Sequence, residues 1–203
     1  MLRLLLLNMP FVSLARPALG ISLLKSRIQD EGEDCAVGYV NLFMADKIGV
    51  PAYEMLDTRL SPALFVGDWL FAQYLFPEID QAPYIATLRR ETTEPDFDAV
   101  MNLRDGIGPF LEECLEAFDI DAYDVIGFTT TFQQNLASLS MARLVKSRCP
   151  NKITVLGGAN CEGVMGFELH RRFPWIDYIC TGESDYSSSK SSPRAVHSRA
   201  CRE

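Results

Sequence analysis

Five short apolar runs, each followed by a turn and most of them by a stretch of helical spacing, constrain this 203-residue chain more than any other feature. They are Leu2–Leu7, Cys35–Val40, Val125–Thr129, Ile153–Leu156 and Tyr178–Cys180. Strands that alternate with helices pair in parallel, because a helical crossover returns the chain to the same end of the sheet. The spacing therefore predicts an α/β domain with a five-stranded parallel sheet and helices on both faces.

The intervening patterns support this. A helix is expected from about Leu19 to Glu31, with Ile21, Leu24 and Ile28 as its buried stripe and Gly32 as its terminator. Ile107, Phe110, Leu111, Cys114, Leu115 and Phe118 make the clearest amphipathic helix. Ala137, Met141, Leu144 and Val145 mark another, ending near Cys149 and Pro150; Met165, Leu169 and Phe173 mark a third. Between strands two and three lies a long segment, about residues 42 to 102, with several prolines and the aromatic cluster Phe65, Trp69, Phe71, Tyr74 and Phe76. A structureless loop of that length would be unusual in a compact domain, so a helical insertion acting as a subdomain or lid is expected.

Charge and cysteine usage narrow the function. The net charge is −8, which repels a phosphate backbone and argues against a nucleic-acid partner. Leu4–Leu7 is too short to span a bilayer, no small-residue cleavage site follows it, and no basic amphipathic stretch suggests a membrane surface. A cytoplasmic location is expected. Cys35, Cys114, Cys149, Cys161, Cys180 and Cys201 are scattered without zinc or iron–sulfur spacing and read as reduced thiols. His170 and His197 read as surface residues rather than ligands. From Tyr186 the chain turns serine-rich and basic, carrying +3 against −11 for the first 185 residues. Residues 1–185 are therefore read as the domain, and 186–203 as a disordered or out-of-frame tail.

In an open parallel sheet, ligands bind beyond the carboxyl ends of the strands. Four loops qualify. Asn8-Met9-Pro10-Phe11 makes a sharp exit from the first strand, with Arg16 and Gly20 further on. Thr129, Thr130, Thr131, Gln133, Gln134 and Asn135 form a dense polar run that suits either a polar ligand or a helix N-cap. Gly157-Gly158, before Ala159, removes two Cβ atoms and admits either a ligand or a plain strand-to-helix turn. Gly182-Glu183 follows the fifth strand; Glu183 could accept a ligand hydrogen bond or cap a helix. A phosphate-cradling loop, a G-x-G-x-x-G fingerprint, a serine elbow and an H-E-x-x-H motif are all absent from the sequence.

Several long segments resemble one family. NMPFVSLARPALGISLLKSRI, GYVNLFMADKIG, DWLFAQYLF, DVIGFTTTFQQNLASLSMARLVKSRCP and VLGGANCEGVMGFELHRRFPWIDYICTGESD are similar to the N-terminal region of cobalamin-dependent radical-SAM maturases, C-methyltransferases acting on ribosomally made, post-translationally modified peptides. The resemblance covers about residues 2 to 185. It implies a flavodoxin-like, Rossmann-like cobalamin-binding domain that precedes a radical-SAM barrel, with a precursor peptide as the full enzyme's substrate. It implies that the corrin ring lies over the carboxyl ends of the strands, near Asn8, Met9, Pro10 and Phe11. The nucleotide tail would descend beside Thr129, Thr130, Thr131, Gln133 and Asn135. Gly157, Gly158 and Ala159 would let tail or ring pass close, and Gly182 and Glu183 would line the far end of the cleft or a domain contact. On that reading, a bulky residue at Gly158 would block the corrinoid.

The chain departs from the family in two respects. Cobalamin carriers with a D-x-H-x-x-G motif ligate cobalt through its histidine, but Asn8–Gly20 contains no histidine. Base-off cobalamin with no histidine ligand from this loop is expected. The C-x-x-x-C-x-x-C triplet for a [4Fe–4S] cluster is also absent, so S-adenosylmethionine and the cluster belong to a missing or separate domain. Two alternatives stay open: a flavodoxin-like module for another nucleotide-type ligand, and a truncation product that binds nothing.

Overall fold

The computed structural model describes residues 2–182 and the backbone of Val196–Ser198. The readings placed on Glu183, on Cys201 and on the remainder of the 186–203 tail lie outside the described residues.

The chain begins with β1 (Arg3–Asn8), α1 (Leu19–Asp30) and β2 (Asp34–Tyr39). Six helices follow: α2 (Val40–Ile48), α3 (Val50–Glu54), α4 (Val66–Leu75), α5 (Ala82–Glu91), α6 (Glu94–Arg104) and α7 (Ile107–Ala117). Then come β3 (Val125–Thr129), α8 (Asn135–Arg148), β4 (Ile153–Gly157), α9 (Gly163–Arg172) and β5 (Tyr178–Cys180). The five strands are parallel in the order β2-β1-β3-β4-β5, a flavodoxin-like α/β sheet. Beside β5, the backbone of Val196–Ser198 pairs antiparallel as β6.

The order has a physical consequence. From β1 the chain moves one way to β2, and from β3 it moves the other way through β4 to β5. Right-handed crossovers then send α1 to one face and α8 and α9 to the other. The sequence directions diverge between β1 and β3, the place where a crevice opens at the carboxyl end.

Strand alternation sorts the side chains between the two faces. Leu5, Leu7, Ile126, Phe128, Leu156 and Ile179 face α8 and α9 and are buried in one continuous core. Helix α8 buries residues around most of its circumference, from Ala137 and Leu139 to Leu144 and Val145. It does so because α4 of the insertion and α7, which follows the insertion, cover its outer side. Tyr53, Leu70, Phe71, Leu88 and Val100 of the insertion belong to the same core. The expected subdomain or lid is thus a helical layer continuous with the sheet's own packing.

The opposite face is different. It carries Leu6, Asn8, Gly127, Thr129, Val155, Gly157 and Cys180, and α1 packs mainly over β1 and β2. No residue of α1 is fully buried. The expected stripe of Ile21, Leu24 and Ile28 is half-buried, while Leu19 and Leu23 are 64% and 55% exposed. Among the described residues no second helix covers β3, β4 and β5 on this side, so α1 has a floor but no neighbour.

One sequence expectation is corrected. His170 was expected at the surface but is only 4% exposed. It lies one helical turn after the buried Gly166, on the side of α9 turned toward the sheet. Its Nε2 lies 3.1 Å from the Asp177 carbonyl. None of the described helices is long and apolar enough to cross a membrane.

Candidate functional site

The divergence between β1 and β3 opens into a cleft of about 590 Å³. Its floor is the uncovered sheet face: Leu6, Gly127 and Val155 deep down, with Asn8, Thr129 and Gly157 at the carboxyl ends. One wall is α1 with the residue that precedes it, through Ala18, Gly20, Ile21 and Leu24. Thr131 and Gly158 stand at the rim, and Cys180 closes the β5 side. Gly157, at the end of β4, leaves the floor open there, while the Leu6 side chain fills the space over Gly127, 2.8 Å from where a Cβ would stand. Every side chain lining the cleft is uncharged. Burial also pushes the Cys180 thiol up, which keeps it neutral at physiological pH.

The residues anticipated from sequence divide into two groups. Asn8, Thr129, Thr131, Gly157 and Gly158 line the cleft. Asn8 donates its side-chain amide to Asn41 Oδ1 (3.0 Å), which orients the group without using the Asn8 side-chain carbonyl. The second group turns inward and holds the loops. Met9 is fully buried; its N–H donates to Thr129 Oγ1 (3.0 Å), and its carbonyl accepts from Gln134 Nε2 (2.5 Å). Pro10 is buried, and the Phe11 ring packs 5.1 Å from Tyr53. The Tyr53 hydroxyl both donates to the Val12 carbonyl and accepts from the Val12 N–H, each at 2.9 Å. Burial raises the Tyr53 pKa far above the ordinary phenol range, so this clamp stays protonated.

The polar run after β3 mostly satisfies itself. Gln133 Oε1 accepts from the Gly67 N–H (2.7 Å), tying the loop to α4. Gln134 Oε1 accepts from the Thr131 N–H (3.0 Å), so Thr131 and Gln134 shape the helix entry. Thr130 is buried, and its hydroxyl donates to Asn135 Oδ1 (3.1 Å) and accepts from Asn160 Nδ2 (3.0 Å). Ala159 is exposed beside the rim, and the Gly182 N–H donates to Glu162 Oε2 (2.9 Å). Of the two readings of this run, the cap accounts for the Thr131–Gln134 pair, while Thr129, Thr131 and Gln134 also line the cleft.

The α1 wall and the deep floor went unforeseen. The floor was within reach of sequence reasoning: Leu6, Gly127 and Val155 each lie two positions before a candidate residue and so share its sheet face. The α1 wall had no comparable signal, because Ile21 and Leu24 read as ordinary core.

Asp68, in the first turn of α4, accepts the Leu136 N–H (2.8 Å) and so caps α8 from another element. Burial pushes its carboxyl up to about 6, partly opposed by the N–H donors of Leu136 and Asn135. An unfolded aspartate titrates near pH ~4. The native state therefore holds the extra proton between about pH 4 and 6. The stability this supplies is complete below pH ~4 and is lost as pH rises through 6. Asp68→Asn keeps the acceptor and removes the charge. It is expected to raise stability at pH 7 by roughly 1–3 kcal/mol and to leave it nearly unchanged near pH ~3.5, as read from urea midpoints. An equal effect at both pH values would contradict this assignment.

Among the described residues, no cluster of three or more His, Cys, Asp or Glu could hold a metal ion. No protein-family model matches this chain, and no curated protein matches it.

Proposed function

We propose that this domain binds cobalamin, as the methyl-carrier module of a radical-SAM peptide C-methyltransferase whose catalytic barrel lies outside this chain. The observation that carries the reading is the cleft: uncharged, its floor left clear at Gly157, and open at the carboxyl ends of β1, β3 and β4. The benzimidazole base and ribose of a base-off cobalamin are likewise uncharged and need a deep, narrow trough. Gly157 would admit the base, and Leu6, Val155, Ile21 and Leu24 would pack on it. Asn8, Thr129 and Thr131 would supply polar contacts near the mouth. When bound, the cofactor supplies a carrier for a methyl group. This chain's residues bind and orient it and keep water from the sheet face.

The test is reconstitution of the full chain with hydroxocobalamin followed by gel filtration. A corrinoid spectrum that co-elutes with monodisperse protein supports the reading. Complete loss of corrinoid on the column overturns it, and aggregation without ligand favours a truncation product.

A further inference from the structure

Two aromatic rings sit just beyond the cleft, in an arrangement that folding alone does not favour. Phe65 links the short turn Pro62–Leu64 to α4, and Phe132 opens the turn that leads from Thr131 into α8. Both have left-handed backbones, with φ of 49° and 51°. Glycine or asparagine is the usual occupant of such positions, since a Cβ crowds the backbone there. Both rings are also half exposed, at 47% and 49%, and their centroids are 5.4 Å apart. Their neighbours in the insertion's aromatic cluster do otherwise: Trp69 and Phe71 are buried.

The backbone beneath the pair is fixed. The Gly67 N–H donates to Gln133 Oε1, the Leu136 N–H donates to Asp68, and Asn160 Nδ2 donates to the Phe132 carbonyl (3.0 Å). These bonds join the insertion, the loop after β3 and the loop after β4 under the two rings. The ledge is contiguous with the cleft through Thr131, which lines it and precedes Phe132. A local conformation that disfavours phenylalanine, held rigidly with its apolar surface in water, points to a ligand that uses the rings.

We propose that Phe65 and Phe132 form an aromatic ledge that packs against methyl groups on the periphery of the corrin macrocycle while the nucleotide tail occupies the cleft. This rests on the cobalamin reading and extends the site onto the insertion. Macrocycle and tail would then be held by separate residues: the ledge for the ring, the sheet face for the tail.

The test uses the full chain and two probes, hydroxocobalamin and cobinamide, a corrinoid that lacks the nucleotide tail. Glycine suits both backbone positions, so Phe65→Gly/Phe132→Gly is expected to keep or raise the melting temperature. It is expected to weaken hydroxocobalamin on the order of tenfold and to weaken cobinamide by a larger factor, in absorbance titrations. Phe65→Asn/Phe132→Asn, which also tolerates this backbone, should reproduce the loss. If wild type binds hydroxocobalamin and both variants bind the two probes as wild type does, the ledge is overturned and the cobalamin reading stands. If wild type binds neither corrinoid, both fall. A melting temperature sharply lowered in both variants would make the rings structural and overturn the ledge as well.

Discussion

Replacing Gly157 with leucine is expected to abolish corrinoid retention on gel filtration while leaving the fold intact. Gly157 ends β4 on the uncovered face, with no left-handed requirement on its backbone. A Cβ added there meets only Cys180 Cβ, at 3.7 Å, an ordinary contact. The rest of the side chain would enter the trough between Thr129 and Cys180, where the base is proposed to lie. A leucine in a strand position costs little, and here it adds apolar contact to a half-empty surface. The expected result is at least a hundredfold loss in affinity at an unchanged urea midpoint. Undiminished binding would show that the corrinoid does not use this face.

The neighbouring glycine behaves in the opposite way. Gly158→Ala is expected to destabilise the protein by roughly 2–4 kcal/mol whether or not any ligand is present. Gly158 has φ of 129°, and a Cβ there would lie 2.5 Å from the Thr130 carbonyl oxygen. Thr130 cannot retreat easily, because its N–H donates to the Gly157 carbonyl (2.8 Å) and its carbonyl accepts from the Asn160 N–H (3.1 Å). The measurement is the denaturant midpoint of the ligand-free protein. A change under 1 kcal/mol would contradict the close approach. A bulky residue at Gly158 is thus a poor probe of the cleft, since any loss of binding would follow from a loosened loop.

The glycine pair illustrates what the sequence could and could not disclose. The doublet was visible, as was its place at a strand end. Its division of labour was not, because the contact that makes Gly158 necessary comes from Thr130, 28 residues earlier. The strands were readable for a simple reason: each is a compact apolar run whose neighbours are set by crossover rules. The helix Leu19–Asp30 was readable in extent but not in burial, since periodicity marks an apolar stripe and not what covers it. His170 was misjudged on the same ground, as its burial depends on the rotation of α9 over the sheet. The polar run after β3 does border the cleft, yet most of its members serve the backbone. Side-chain amides such as Gln133 and Gln134 find partners far along the chain, at Gly67 and Met9, that no local pattern announces.

The bond between Gln133 and Gly67, with Asp68 capping α8, also bears on how this domain could be shortened. An insertion of some sixty residues between two strands invites excision down to a minimal sheet-and-helix scaffold. Here the excision would strip the outer side of α8, uncap its first turn and leave a buried glutamine without its donor. The segment is a keystone of the architecture, and a viable minimal domain would have to retain at least α4 with the turn that begins it.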